Sequence, residues 1–226
     1  MAKRKLAQFA ENKTFRHVIE PTAEEVLNDR LPLKGNWHRD FFGNDNPIVL
    51  ELGCGKGEYS VGLGQRHPHL NFVGVDIKGA RIWRGAKTVE EENLTNVAFL
   101  RTRIDFITTC FGPQEVSEIW LTFSDPMMKK RNEKRRLTSR PFIERYLKIL
   151  KPGGKVHLKT DSDFLYNYTL EQIEEYKYPV LHQTNDLYAN LDLFDAENQE
   201  LLQIKTFYEQ KFLAVGKSIN YCCFTP

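Results

Sequence analysis

From residue 47 onward the chain alternates short apolar runs with connecting segments of roughly 15 residues or more. The runs are Ile48-Val-Leu-Glu-Leu, Phe72-Val-Gly-Val-Asp, Val97-Ala-Phe-Leu, Ile119-Trp-Leu-Thr-Phe and Lys155-Val-His-Leu-Lys. A strand followed by that much chain leaves room for a crossover helix, and repeated βα units imply a mostly parallel sheet covered on both faces. Pro152-Gly-Gly154 reads as a turn just before the fifth strand. Beyond residue 180, Pro179-Val-Leu-His and Ser218-Ile-Asn-Tyr-Cys-Cys-Phe suggest a final strand pair around a helical stretch at 195–213. The expected fold is therefore α/β: one doubly wound, Rossmann-like domain over 47–226, with seven strands and an antiparallel strand near the C-terminus. Residues 1–46 differ. They are polar, broken by Pro21, Pro32 and Gly35, and carry Lys3, Arg4, Lys5, Lys13 and Arg16. They read as a basic N-terminal arm with one short helix opening at Pro21-Thr-Ala-Glu-Glu.

Composition narrows the function classes. Of 226 residues, 41% are hydrophobic and 12% aromatic, which is enough for one sizeable core and excludes global disorder. No apolar run nears the roughly 18 residues of a membrane span. The start lacks the apolar stretch of a secretory signal, and Cys54, Cys110, Cys222 and Cys223 show no paired spacing, so a reduced cytoplasmic setting is expected. The net charge of +2 predicts nothing until it is located. Lys129-Lys-Arg-Asn-Glu-Lys-Arg-Arg136 sets six bases and one acid in eight residues, whereas Asp186 to Glu200 holds five acids and no base. Such a block marks one face for a polyanionic partner.

Ile48-Val-Leu-Glu51-Leu-Gly53-Cys-Gly55-Lys-Gly57 is a strand running into a glycine turn. Glycines there permit positive φ and let backbone approach a nucleotide closely. The dinucleotide fingerprint fails, because Glu58 stands where its last glycine belongs, and no phosphate-binding GxxxxGK[ST] occurs. Two acids frame the turn: Glu51 just before it and Asp76 at the end of the next strand. Glu-Leu-Gly-Cys-Gly-Lys-Gly resembles the first motif of the Rossmann-like S-adenosylmethionine-dependent methyltransferases. That resemblance implies S-adenosylmethionine as cofactor, held by Glu51, Gly53, Gly55 and Asp76, with Asp76 on the ribose hydroxyls.

The second motif is Phe123-Ser-Asp125-Pro126-Met-Met-Lys129 followed by the basic block. It resembles the bacterial tRNA (guanine-N7)-methyltransferases, whose signature is FxDPxxKxRHxKRR. The likeness extends to Lys159-Thr-Asp161 and to Thr206-Phe-Tyr-Glu209, in the family's order. It implies that Asp125 is catalytic and also near the cofactor, that Lys129, Asp161, Thr206, Phe207, Tyr208 and Glu209 bind substrate, and that tRNA is the partner, with guanine 46 of the variable loop the target. Two departures stand out. Met127 replaces the family's tryptophan and Asn132 its frequent histidine. Arg103 stands where the family commonly has an acid, so the adenine side is expected to use main chain at Arg103 with Asp105 as the substitute acid.

Guanine N7 carries a lone pair and no proton, so methyl transfer to it needs positioning more than a general base. The sequence agrees in offering no Ser-His-Asp, Cys-His or metal-ligand set. The six histidines, with His67 and His69 the only close pair, read as surface or strand residues rather than ligands, and no metal is expected. Other readings are a methyltransferase acting on an exocyclic amine, whose DPPY or NPPY motif fits Met127-Met128 poorly, and a non-catalytic RNA-binding protein on the same fold. Monomer and homodimer both stay open.

Overall fold

The computed structural model describes residues 2–226, with side chains described from residue 5; Met1 and the side chains of Lys3 and Arg4 lie outside it. The N-terminal segment forms α1 (Ala2–Asn12), a two-residue strand β1 (Val18–Ile19), α2 (Ala23–Leu27) and a π-helical turn at Trp37–Phe42. Then follow β2 (Ile48–Leu52), α3 (Glu58–Arg66), β3 (Asn71–Asp76), α4 (Gly79–Glu91), β4 (Val97–Arg101), α5 (Ile107–Cys110) and β5 (Val116–Thr122). A 3-10 turn at Lys130–Arg135 precedes α6 (Arg140–Tyr146), β6 (Leu150–Thr160), α7 (Asp163–Tyr176) and β7 (Val180–Thr184). The chain ends with α8 (Ala196–Leu202), α9 (Phe207–Ala214) and β8 (Asn220–Phe224).

One sheet holds the strands in the order β1-β4-β3-β2-β5-β6-β8-β7. β8 runs against the common direction of the other seven strands and pairs antiparallel with both β6 and β7. The sheet has eight strands rather than the expected seven, because Val18 and Ile19 pair with Phe99 and Leu100 and add an edge beyond β4. The end of α1 is packed down too. Asn12 Nδ2 donates to Gly79 O at 2.9 Å, and Glu11 accepts from Trp83 Nε1 at 2.7 Å and Lys87 Nζ at 2.9 Å. The expected short helix is α2, opened by a Thr22–Glu25 capping box.

Two further expectations change. Pro152–Gly154 is no separate turn: β6 runs through it, and the register against β5 jumps from Val116↔Leu150 to Glu118↔Lys155, a bulge that Gly153 allows at φ +74°. The helical stretch at 195–213 is two helices, since Thr206 caps a new start at α9 with Glu209 as its third-position partner.

Both faces of the sheet are covered, as parallel strands require. Ile48, Leu50 and Leu52 of β2 point into the layer of α5, α6 and α7; Val49 points to the opposite layer of α3, α4 and α8. Glu51 shares Val49's side, so a carboxylate occupies a core position of that layer. The chain passes from β2 outward through β3 to β4, then restarts on β2's other side with β5. Ligands of open α/β sheets bind at such a switch point, outside the strands' carboxyl ends. Here those ends are Gly53 and Phe123.

Candidate active site

The turn after β2 is built from backbone first. Gly53 and Cys54 donate their N–H groups to Val75 O at 2.8 and 3.1 Å, which ties the turn to β3. Gly53 sits at φ +83° with open space where a Cβ would stand. A side chain there would carry both backbone strain and bulk into the crevice. Gly57, at φ +70°, is pressed against the ring of Phe99, so its hydrogen is also a packing requirement.

Glu51 is 3% exposed. Its Oε2 accepts from Ser60 N at 2.9 Å and Ser60 Oγ at 2.5 Å, and its Oε1 from Thr122 Oγ1 at 2.6 Å. No lysine, arginine or histidine pairs with it among the described residues. Burial pushes its carboxyl up to about 7, against the pull of those hydrogen bonds. It faces a cavity of about 170 Å³ shared with Gly53, Gly55, Arg81, Thr206 and Tyr208.

Asp76 accepts from Gly55 N at 3.0 Å through Oδ2 and from Lys78 N at 2.8 Å through Oδ1. Each oxygen keeps a lone pair for a further donor. Asp76 lines a second cavity, about 420 Å³, with Gly53, Thr102, Arg103, Asp105 and Met127. Arg103 Nη2 and Asp105 Oδ2 stand 3.3 Å apart at its exposed rim, so the two residues singled out for the adenine side face the same space and each other.

A third cavity, about 760 Å³, lies over the end of β5, and Gly53, Asp125, Asp161, Tyr208 and Lys217 are among its lining residues. Asp125 Oδ1 accepts from Met127 N at 2.9 Å. The loop that carries it is framed by two non-glycine residues at positive φ, Phe123 (51°) and Met127 (45°), a conformation of the order of 1–3 kcal/mol above the usual ones. Arg136 holds that loop. It is buried, lies over the rings of Phe164 and Tyr168 at 4.7 and 4.2 Å, and donates to Met127 O from Nη2 at 3.3 Å. Asp161 pairs with Lys217 at 2.9 Å. Ser124 Oγ is buried there without a partner.

Gly53 is thus common to all three cavities, and Tyr208 to the first and third. The sequence-derived residues Glu51, Gly53, Gly55, Asp76, Arg103, Asp105, Asp125, Asp161, Thr206, Phe207 and Tyr208 converge on one crevice.

Against this site the chain can be compared with known proteins. Residues 45–222 match the family described as "Putative methyltransferase". The tRNA (guanine-N(7)-)-methyltransferase of Christiangramia forsetii is 49% identical over 99% of this chain and 98% of its own length. That of Bacteroides thetaiotaomicron is 53% identical over 99% and 86%, and that of Bacillus subtilis 36% identical over 89% and 90%. The chain belongs to the tRNA (guanine-N7-)-methyltransferase family. Among solved structures, the 16S rRNA methyltransferase KamB superposes with a TM-score of 0.60 at 12% identity, covering 83% of this chain and 92% of that one. The 16S rRNA (adenine(1408)-N(1))-methyltransferase of Catenulisporales acidiphilia gives 0.59 at 12%, covering 86% and 94%. At that identity the likeness speaks for the fold.

Two residues that the family motifs suggested for substrate contact are placed elsewhere. Glu209 is fully buried: its Oε1 is 2.7 Å from Lys159 Nζ and 2.6 Å from Tyr188 OH, so its partners lie within the scaffold and it lines none of the three cavities described above. Lys159 is equally buried and also donates to Leu202 O at 2.6 Å and Ile204 O at 3.0 Å. Burial pulls its ammonium down to about 8, with Glu209 opposing. Lys129 is exposed and lines none of the three cavities described above. Thr206's hydroxyl caps α9, while Glu58 accepts from Phe207 N at 2.8 Å and anchors the segment to α3. Of the basic block, Lys130, Arg131, Lys134 and Arg135 are exposed, but Arg136 is not. Sequence reasoning missed Ser60 and Thr122, the partners of Glu51, and gave Lys159 no role. The signal for Lys159 was present: a lysine between the apolar positions of a central strand.

Proposed function

We propose that the chain transfers the methyl group of S-adenosylmethionine to N7 of a guanine in tRNA, at nucleotide 46 of the variable loop, in the cytoplasm. The observation that carries this reading is Gly53: one glycine borders a pocket for a cation, a pocket for a ribose and a cavity large enough for a purine. Glu51 fits the charged methionine end, since it is a buried carboxylate with no cation of its own. Asp76 fits the ribose hydroxyls with its remaining lone pairs, and Arg103 and Asp105 flank the adenine side. When bound, S-adenosylmethionine supplies an electrophilic methyl on a sulfonium.

The protein's part is orientation. Asp125 and Asp161 face one cavity and accept from guanine N1–H and N2–H₂, which leaves N7 directed at the cofactor side. No residue has to remove a proton from N7, so the gain comes from holding the reacting atoms in line. Tyr208, exposed between the first and third cavities, offers a stacking face that Met127 lacks. Lys130, Arg131 and Arg135 neutralise phosphates and steer encounter without reading sequence.

The test is methylation of an unmodified tRNA transcript with labelled cofactor, followed by nucleoside mapping. Label in 7-methylguanosine at the variable-loop guanine is expected, with cleavage there after borohydride and aniline. Asp125→Asn places a donor against a guanine N–H and is expected to lower kcat/KM on the order of 10²-fold, with cofactor affinity little changed. Label in an amino-methylated base would replace this reading with the exocyclic-amine one.

A further inference from the structure

His67 and His69, at the turn between α3 and β3, come together with Glu197 of α8. Each offers one donor atom, and the three atoms lie within 4.8 Å of one another. The two halves of the cluster have different rigidity. His67 is the C-cap of α3; the residue is 4% exposed, and its Nε2 is buried without a hydrogen-bond partner. The loop under it is fixed from below: Asn96 Nδ2 donates to Gly64 O at 3.1 Å, His67 O at 3.2 Å and Leu70 O at 3.0 Å. Pro68 restricts the step between the two histidines. His69 and Glu197, in contrast, are exposed side chains free to turn. Glu197 sits in the first turn of α8, whose cap is Asp195.

We propose that these three residues form a divalent transition-metal site of the zinc type. Two imidazoles and a carboxylate are a donor set that such ions favour, with water completing a tetrahedron. Bond lengths of about 2.0–2.1 Å put tetrahedral donors roughly 3.4 Å apart. His69 and Glu197 can close that gap by side-chain rotation toward the fixed His67. With Nε2 of His67 as the ligating nitrogen, the orphaned atom gains a partner.

The ion would join α8 to the α3–β3 turn. Those elements already touch nearby: Tyr59 OH donates to Leu201 O at 2.9 Å, and Arg66 Nε stands 4.0 Å from Glu200. The segment so fastened runs directly into Thr206–Tyr208, the wall of the cofactor crevice. The site would therefore act as a staple for that wall, remote from the reacting atoms.

The experiment is titration of the full metal-free chain with Zn²⁺ against a chromophoric competitor, and with Co²⁺ as a spectroscopic probe, under a non-thiol reductant. One equivalent is expected to bind, with a Co²⁺ spectrum of nitrogen and oxygen ligation and a raised melting temperature. His69→Ala and Glu197→Gln, both surface changes, are each expected to weaken binding by at least about the ten- to hundredfold seen for loss of an outer-shell partner, with circular dichroism unchanged. Absence of a stoichiometric site, wild-type affinity in both variants, or a thiolate-to-cobalt band from the cysteines would each overturn the proposal.

Discussion

Glu51 and Glu209 are both carboxylates shut away from solvent, 3% and 0% exposed, and the protein deals with them in opposite ways. Glu209 has its cation within the chain: Lys159 stands 2.7 Å away, and Tyr188 and the Thr206 amide take up further lone pairs. Glu51 has only hydroxyls and one amide, and burial holds its carboxyl at about 7. An ion pair closed within the protein can only organise it, because nothing is left for a ligand to neutralise. A carboxylate left short of one positive charge beside a cavity is where a cationic ligand gains most. The Lys159–Glu209 pair ties β6 to the segment 202–209 that walls the crevice, whereas Glu51 faces the crevice with no cation of its own.

Breaking the closed pair is expected to have the largest effect. Lys159→Met removes the cation while leaving Glu209 buried, and also strands the carbonyls of Leu202 and Ile204. Loss of one member of a buried pair costs about 3–5 kcal/mol. Denaturant unfolding should show that loss, and the Lys159→Met/Glu209→Gln double variant should recover part of it, since the amide no longer needs a counter-charge. A double variant no more stable than the single one would mean that Lys159 acts through the two carbonyls alone.

The open carboxylate should respond in the reverse sense. Glu51→Gln keeps the shape and can still serve Ser60 and Thr122, with the threonine hydroxyl turned to accept. The variant is expected to be no less stable than wild type at pH 8. Its affinity for S-adenosylmethionine should fall by about 1.5–3 kcal/mol, the range for a hydrogen bond to a charged group. Calorimetric titration reads the second quantity and chemical denaturation the first. A variant that unfolds easily and binds normally would make Glu51 another Glu209.

These two acids also mark how far the sequence could be read. Alternating apolar runs and glycine turns report local geometry, so β2 to β6, the switch point and the crevice residues on strand ends were legible. The eighth strand was not, because two residues, Val18 and Ile19, carry no periodicity. Glu51 and Glu209 both sit in recognisable motifs, yet whether a motif acid meets ligand or scaffold depends on the far side of the fold. Lys159 reaches Glu209 across fifty residues. Arg136 looked like one more phosphate-binding base, but Phe164 and Tyr168 of α7 cover it. His67 and His69 read as surface or strand residues, and their approach to Glu197 could not be read because Glu197 lies on α8.

The finest distinction between the two carboxylates is their dependence on pH. Glu51's folded value, about 7, lies above the ordinary 4.5, so the free protein carries it protonated through most of the interval between them. The stability that this group lends the ligand-free fold is full below about 4.5 and is lost as pH rises through 7. A cation in the crevice reverses the preference, because it binds the ionised form. Binding below pH 7 must therefore expel a proton, and affinity should rise with pH by up to about tenfold per unit, levelling off above 7. The useful window is about pH 5.5 to 7.5, beneath the α-amino range of about 7.7–8.0 in which the ligand would lose its own charge. Calorimetry in two buffers of different ionisation enthalpy counts the released proton directly. Glu51→Gln should bind weakly but evenly across the window and release none. Methyl transfer at saturating cofactor should stay flat over the same window, since guanine N7 has no proton to surrender. A Gln variant that kept the slope would move the titrating group elsewhere in the crevice and leave Glu51 as scaffold.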